Sequence, residues 1–322
     1  MRKISSVISD WNQKLNGETQ FRVRRSPAVK EQFFLAVNKF LAQRGYTGRA
    51  DGDFKDTTNL IFGDEKTAEI LFTAHYDTSK TGYTAPNFYV TNKPGFWADG
   101  VIVIGILLVV LSGTIGFGLW HWWAGLAWFA LMVLYTAVSF TFDNKFNFND
   151  NTSGDIALLE IADRVSRELP QLKDKLAFVF TDREEDGLKG GKKLNAQLSD
   201  ALTPEELAKK LVLNIDCVGG RDTIFRLYTH SDAGLEIAQE IRALSDREDF
   251  KIYKTHTFPS DSSPFKKTIP AISLISVSKG KFPVKDLERL TGIHSKHDTL
   301  FDEAMVQEWT DLVVAYLAKR GA

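Results

Sequence analysis

The chain has one cysteine, Cys217, so it can form no intramolecular disulfide. That excludes a small disulfide-stapled scaffold and fits a reducing compartment. It also lacks an excess of either charge: 40 Lys and Arg stand against 41 Asp and Glu, a net charge of −1. Without a basic surplus, no nucleic acid is expected as a partner. There is no internal repeat and no low-complexity run. The opening residues, MRKISSVISDWNQKLNG, have a basic start but no apolar core of signal-peptide length. One further absence lies inside the chain: from Val101 to Phe142 there is no Asp, Glu, Lys or Arg.

That uncharged block, as a single helix, would be about 63 Å long. This is about twice the hydrocarbon thickness of a bilayer, so two helices joined by a tight turn fit better. Gly113, Gly116 and Gly118 cluster near its midpoint, ahead of LWHWW. Trp120, Trp122 and Trp123 are of the type that settles at a membrane interface. The block predicts a transmembrane helical hairpin inserted at 97–142, with spans of about 100–117 and 122–141 and a turn near 118–121. The lipid bilayer would then be a partner. The alternative is a hairpin buried in a soluble core or in a homo-oligomer. Such a helix normally carries a polar stripe, and this block has none.

The other residues of the 322 suffice for one large domain, 1–96 and 143–322, with a real core. Ser26 and Pro27 open an amphipathic helix that Gly45 closes. Thr58–Phe62, Glu69–Ala74, Leu176–Thr181, Leu211–Ile215, Thr223–Thr229, Phe250–Lys254 and Ala271–Val277 read as strands. Asn151–Arg167, 204–210, Gly234–Leu244 and Glu303–Ala318 read as helices. Apolar strands alternating with amphipathic helices predict an α/β fold: a mixed, largely parallel central sheet flanked by helices. In such sheets ligands gather at the carboxyl ends of the strands.

Chemistry-bearing residues fall at those ends. ILFTAHYDT places His75 at the end of a strand, with Asp77 two residues on. A metal-bound imidazole commonly donates its other N–H to a carboxylate, although His-x-Asp alone means little. FNDNTSGD places Asp150 before a small-residue helix start, where an acid is also an ordinary cap. FVFTDREEDG puts Glu184 and Glu185 after a strand. Adjacent side chains there cannot point the same way, so one can hold a metal while the other faces substrate. LVLNIDCVGG places Asp216 after another strand, and GIHSKHDT supplies His294, with His297 as its rival and Asp298 close by. Each motif alone has a bland reading. Together, two histidines, three acids and a spare glutamate are the inventory of a co-catalytic two-metal site, one carboxylate bridging.

The order His-x-Asp, Asp-Asn-x-Ser-Gly, Glu-Glu-x-Gly, Asn-x-Asp-x-x-Gly and Ile-His-Ser-x-x-Asp-Thr resembles the zinc aminopeptidase family of the MH clan. That family includes bacterial leucyl aminopeptidases, glutamate carboxypeptidase relatives and glutaminyl cyclases. The resemblance covers about 57–95 and 146–302, and SDSSPFKKTIPAISL from Ser260 resembles the loop before the family's last core strand. It implies a zinc-exopeptidase fold and an aminopeptidase acting on peptides with two Zn²⁺. His75 and Asp216 would hold one zinc and Glu185 and His294 the other, with Asp150 bridging. Asp77 would orient His75, and Glu184 would be the general base. Three positions depart from the family pattern. Arg183 stands in place of glycine, Ser262 in place of histidine, and Asn149 in place of a small or acidic residue. The alternatives are a single-zinc, glutaminyl-cyclase-like acyltransferase and a non-enzymatic membrane scaffold that keeps the fold.

His75 precedes the apolar block and the other candidate ligands follow it, so the number of crossings between them must be even. Lys93 and Lys145 flank the hairpin and its turn carries no Lys or Arg, which predicts a multi-pass membrane location with the catalytic domain facing the cytoplasm. His121 is expected at the hairpin turn. His230 and His256 flank strands, at surface or pocket positions.

Overall fold

The computed structural model describes residues 4–80, 93–139, 142–254, 259–279 and 288–321; for 93–103, 136, 138 and 139 it describes the backbone alone. His256 lies outside the described residues. The elements run α1 (Ser6–Asn12), α2 (Pro27–Ala42), β1 (Gly48–Asp51), β2 (Asn59–Phe62), β3 (Ile70–His75), α3 (Lys93–Trp120), α4 (Trp122–Ser139), α5 (Thr152–Glu168), β4 (Leu176–Thr181), α6 (Lys189–Ala201), α7 (Pro204–Ala208), β5 (Leu211–Ile215), β6 (Ile224–Thr229), α8 (Asp232–Arg242), β7 (Lys251–Lys254), β8 (Ala271–Lys279), β9 (Glu288–Arg289) and α9 (Glu303–Gly321).

The strands form one sheet in the order β1-β2-β4-β3-β5-β8-β6-β7, with β9 paired to β8. At its centre β4, β3, β5 and β8 run parallel, as do β6 and β7. The pairs β1–β2, β2–β4, β6–β8 and β8–β9 are antiparallel. The sheet is therefore mixed, as expected, but largely parallel only at its centre. Short connections such as 52–58 between β1 and β2 permit a hairpin and leave no room for a crossover helix.

Side chains alternate across this sheet with period two. Leu60, Phe62, Phe72, Phe178, Phe180 and Leu213 share one core with residues of α2, α5 and α9, such as Phe33, Ile156 and Trp309. Ile61, Leu71, Val179 and Val212 pack on the other face with Leu194, Leu198 and Leu207 of α6 and α7. Burial on both faces explains why the central strands read as continuous apolar runs. Ser26 caps α2 through the Val29 N–H, with Pro27 in the first turn.

The uncharged block forms α3 and α4, and His121 alone separates Trp120 from Trp122. The turn thus falls where the sequence places it. The legs pack through small residues: a Cβ on Gly125 would meet the Gly118 Cα at 2.8 Å. The chain returns to its starting point, because Lys80 and Asp143 form an antiparallel bridge and the Asn144 N–H donates to the Ser79 carbonyl at 3.0 Å.

The transmembrane assignment of this hairpin is corrected. Among the described residues no helix is long and apolar enough to cross a membrane. The spans at about 100–117 and 122–141, the multi-pass membrane location and the cytoplasm-facing orientation derived from it are therefore not retained. The hairpin nevertheless exposes large apolar side chains, among them Leu108, Leu119, Trp122 and Leu126.

Candidate metal centre

Three parallel strands deliver acids and a histidine to one place because their carboxyl ends are level. His75 closes β3 and pairs in register with Thr181, the last residue of β4. Asp216 follows β5 directly. Glu184 and Glu185 sit three and four residues beyond β4, in a turn closed by the Gly187 N–H donating to the Glu184 carbonyl at 2.9 Å. Asp150 arrives from the loop before α5, and His294 from the loop after β9.

The side chains converge on Asp150. Its Oδ1 lies 3.1 Å from His75 Nε2, and its Oδ2 lies 2.9 Å from His294 Nε2. The same His75 nitrogen is 3.9 Å from Asp216 Oδ1, and the same His294 nitrogen is 3.1 Å from Glu185 Oε2. Two half-sites, His75 with Asp216 and His294 with Glu185, therefore share one carboxylate. The rival His297 is exposed, while Asp298 beside it is buried. His230 is buried and His121 is exposed at the hairpin turn.

Asp77 has a broader part than orienting His75. His75 Nδ1 faces the Asp77 carbonyl at 3.2 Å and its Oδ1 at 3.5 Å. The Asp77 carboxylate itself accepts the Glu184 N–H at 3.0 Å and the Glu185 N–H at 3.3 Å. It thus fixes the backbone of both glutamates.

The Asp150 loop is pinned by its neighbours. Asn151, not Asp150, caps α5, its Oδ1 accepting the Gly154 N–H at 3.1 Å. The same Oδ1 accepts the Cys217 N–H at 3.1 Å, and Nδ2 donates to the Ile215 carbonyl at 3.0 Å. Asn151 so ties the Asp150 loop to the strand that presents Asp216. A Cβ on Gly154 would meet the Ile215 carbonyl oxygen at 2.5 Å, so only glycine allows α5 to start this close to β5. Asn149, a departure from the family pattern, uses its Oδ1 to accept the Gly219 N–H at 3.0 Å.

Charge is out of balance in this buried space. Burial opposes ionisation of Asp150, but His294 and His75 outweigh it and hold that carboxyl well below the usual range. Burial pushes Glu184 well above the ordinary value and raises Glu185 and Asp216. Burial would lower both imidazoles, yet the facing carboxylates raise His75 and His294 well above the ordinary value. Acids that resist ionisation and imidazoles that hold protons are what a cation-binding cluster becomes when protons supply the positive charge. Among the described residues Glu185 Oε1 is buried with no hydrogen-bond partner. His75, Asp150 and Glu185 present donor atoms within 4.8 Å of one another. Imidazoles and carboxylates in this arrangement fit zinc.

Several residues at the site have contacts that the sequence motifs do not disclose. Asp298 accepts the N–H groups of Asn149 and Asp150 at 2.9 and 3.0 Å. Arg24, fully buried, donates to the Tyr76 carbonyl at 2.5 Å and to Thr152 Oγ1 at 3.1 Å. Asp261 is buried, accepts a hydrogen bond from Thr181 Oγ1, and is pushed up to about 7 by burial. Its place two residues before Ser263-Pro264 is the one hint the sequence offers. Ser262 accepts from Ser273 Oγ at 2.7 Å. Arg183 holds a left-handed φ of 53°, the conformation that glycine adopts without strain.

The chain resembles solved structures of known enzymes. A glutaminyl cyclase from Porphyromonas gingivalis aligns over 98% of this chain and 99% of its own, at 18% identity and a TM-score of 0.61. A Zn-dependent exopeptidase from Parabacteroides distasonis aligns over 98% and 99%, at 14% identity and a TM-score of 0.60. A zinc aminopeptidase from Bacillus subtilis aligns over 82% of this chain, at 19% identity and a TM-score of 0.48, and the chain spans half (50%) of its length. The likenesses to the cyclase and the exopeptidase establish the fold. Comparison with curated proteins gives no match. The model of Peptidase family M28 matches residues 140–317, more than half of the chain and the span that carries Asp150, Glu184, Glu185, Asp216 and His294. By that match, this chain belongs to Peptidase family M28.

Proposed function

We propose that this chain is a di-zinc aminopeptidase that removes N-terminal residues from peptides. The observation that carries the reading is Asp150, whose two oxygens face two histidines, each accompanied by one further carboxylate. His75 and Asp216 would hold one zinc, Glu185 and His294 the other, and Asp150 both. Bound zinc would lower the pKa of a shared water and offset the charge that develops on the scissile carbonyl oxygen.

The remaining steps belong to side chains. Glu184 takes a proton from the water and passes it to the leaving amine. In the metal-free fold burial, then the charges of Glu185, Asp261 and Asp216, raise its pKa against the opposing charge of His75. Asp77 keeps Glu184 in place through its backbone N–H.

The test is zinc content together with product analysis on short peptides, including peptides with N-terminal glutamine. The proposal expects two zinc ions per chain and release of free N-terminal residues. One zinc per chain, with cyclisation of the glutaminyl peptides and no hydrolysis, would overturn it in favour of an acyltransferase. Zinc-free protein without either activity would mark a non-enzymatic scaffold.

A further inference from the structure

The turn that carries Glu184 and Glu185 belongs to no strand, so something must hold it at a fixed distance from His75. Asp77 does so from one side. A second tie comes from a remote part of the chain. Arg25 Nη1 donates to the Thr78 carbonyl at 2.6 Å, one residue beyond Asp77. Its Nη2 donates to Asp186 Oδ1 at 3.0 Å and lies 3.4 Å from Oδ2. Asp186 follows Glu185 directly. The remaining nitrogen, Nε, faces Asp143 Oδ1 at 3.3 Å, at the foot of the helical hairpin.

The planar guanidinium fork is suited to this, because its donors leave in fixed directions and can join three partners at once. Arg25 thus links the loop after β3, the turn after β4 and the segment that leads to Asp150. Its neighbour Arg24 is fully buried and belongs to the core, whereas the Arg25 side chain keeps 17% of its surface exposed.

We propose that Arg25 is a positioning residue for the Glu185–His294 half of the site, acting through Asp186 on the Glu184–Gly187 turn. His75 lies in the β3–β4 ladder and Asp216 directly after β5, so neither depends on Arg25 for its place. The turn lies outside the sheet and is held by Asp77 and, through Asp186, by Arg25. Loss of the fork therefore loosens Glu185 and Glu184 while His75 and Asp216 stay put. The inference rests on the two-metal reading above.

Stepwise zinc release to a coloured chelator, on the full chain, separates these possibilities. In Arg25→Met one of the two zinc steps is expected to weaken about tenfold or more, the size typical for loss of a group that orients a ligand, while the other stays unchanged. Because the turn also carries Glu184, kcat for peptide cleavage should fall more than KM rises. Asp186→Asn should reproduce the selective loss, the double variant should be no worse than either single one, and Arg25→Lys should restore part of it. Equal weakening of both steps, or no change in either, overturns the role of Arg25. A wild-type chain that releases one zinc equivalent in a single step overturns the two-metal reading instead, before any variant is made.

Discussion

Asp298 stands behind Asp150. Its Oδ2 accepts the Asp150 backbone N–H at 3.0 Å, and its Oδ1 accepts the preceding N–H, of Asn149, at 2.9 Å. One buried carboxylate thus aims another, which faces both histidines. Asn at 298 keeps the shape but offers one acceptor instead of two, and turns a donor toward an N–H. A buried backbone donor left without a partner costs about 1–3 kcal/mol. Asp298→Asn should therefore lower stability by that amount in chemical denaturation. It should also weaken zinc binding about 10–100-fold in chelator competition. Unchanged zinc affinity would show that Asp150 keeps its place without this support.

Glu184 is an acid of the cluster with no ligand role. Glu184→Gln removes the proton acceptor and leaves the Asp77 hydrogen bond to its backbone intact. Peptide hydrolysis should fall about 10²–10⁴-fold, with zinc content and melting temperature close to wild type. Hydrolysis at the wild-type rate would move the general base elsewhere, with Asp261 the next buried acid to examine.

Residues whose signal is local were legible in the sequence. His75, Asp150, Glu185, Asp216 and His294 each sit just beyond an apolar strand or at a loop that meets one, and the fold brings them together. The hairpin turn at His121 was legible from glycine and tryptophan spacing. The transmembrane character expected for it was not borne out, because an uncharged run records apolarity and leaves its surroundings open. Asp298 lay inside a motif, but its hold on the Asp150 loop did not show there; Arg24 and Arg25 act over long sequence separations through backbone carbonyls, for which composition and periodicity carry no trace. The polar edge strand β1, Gly48–Asp51, and the lysine-rich α6 lack the apolar pattern that marked their neighbours.

Metal binding should depend on pH in a direction set by the cluster. In the metal-free fold His75 and His294 hold protons above their ordinary pKa because carboxylates face them. Their stabilising effect is full below about pH 6.5, the unfolded value, and is lost as pH rises through the folded value. Glu185 and Asp216, raised by burial, also bind more protons folded than unfolded, so they too make the metal-free fold less stable as pH rises above about 4. Zinc requires neutral imidazole and ionised carboxylate. The rise in melting temperature on adding zinc should therefore be larger at pH 8 than at pH 6, with protons released on binding. Calorimetry in buffers of different ionisation enthalpy reads both, and a zinc effect that shrinks with pH would contradict the assigned ligands.

Arg183 shows how a residue can occupy a glycine conformation. Its left-handed φ costs about 1 kcal/mol. Its side chain reaches Asp56 Oδ1 at 3.1 Å and the Lys55 carbonyl at 2.9 Å, but Asp56 is exposed, so solvent screens the ion pair. Glycine would relieve the strain at about 0.5–1 kcal/mol of extra chain entropy. The opposing effects nearly cancel. Arg183→Gly should change unfolding free energy by less than about 1 kcal/mol and leave peptide cleavage within a few-fold of wild type. A large loss of activity with stability intact would assign the guanidinium to substrate.

The helical hairpin leaves and re-enters the catalytic domain at one point, where Lys80 and Asp143 pair and Asn144 donates to Ser79. Asn144 Nδ2 also donates to the Phe146 carbonyl at 2.7 Å, and Ser79 Oγ donates to Asn147 Oδ1 at 3.1 Å. The foot is thus held by residues outside the insert. Replacing 81–141 with a four-residue Gly/Ser turn should preserve these contacts and the ligand loops beyond them. Shortening the loop removes closure entropy worth about 2.4 kcal/mol at most, so the shortened chain should be as stable as the full one, or slightly more. Zinc content and circular-dichroism melting report on both. Loss of zinc in a shortened chain that still folds would show that the hairpin, acting through Asp143 and its contact with Arg25, helps to set the geometry of the metal centre.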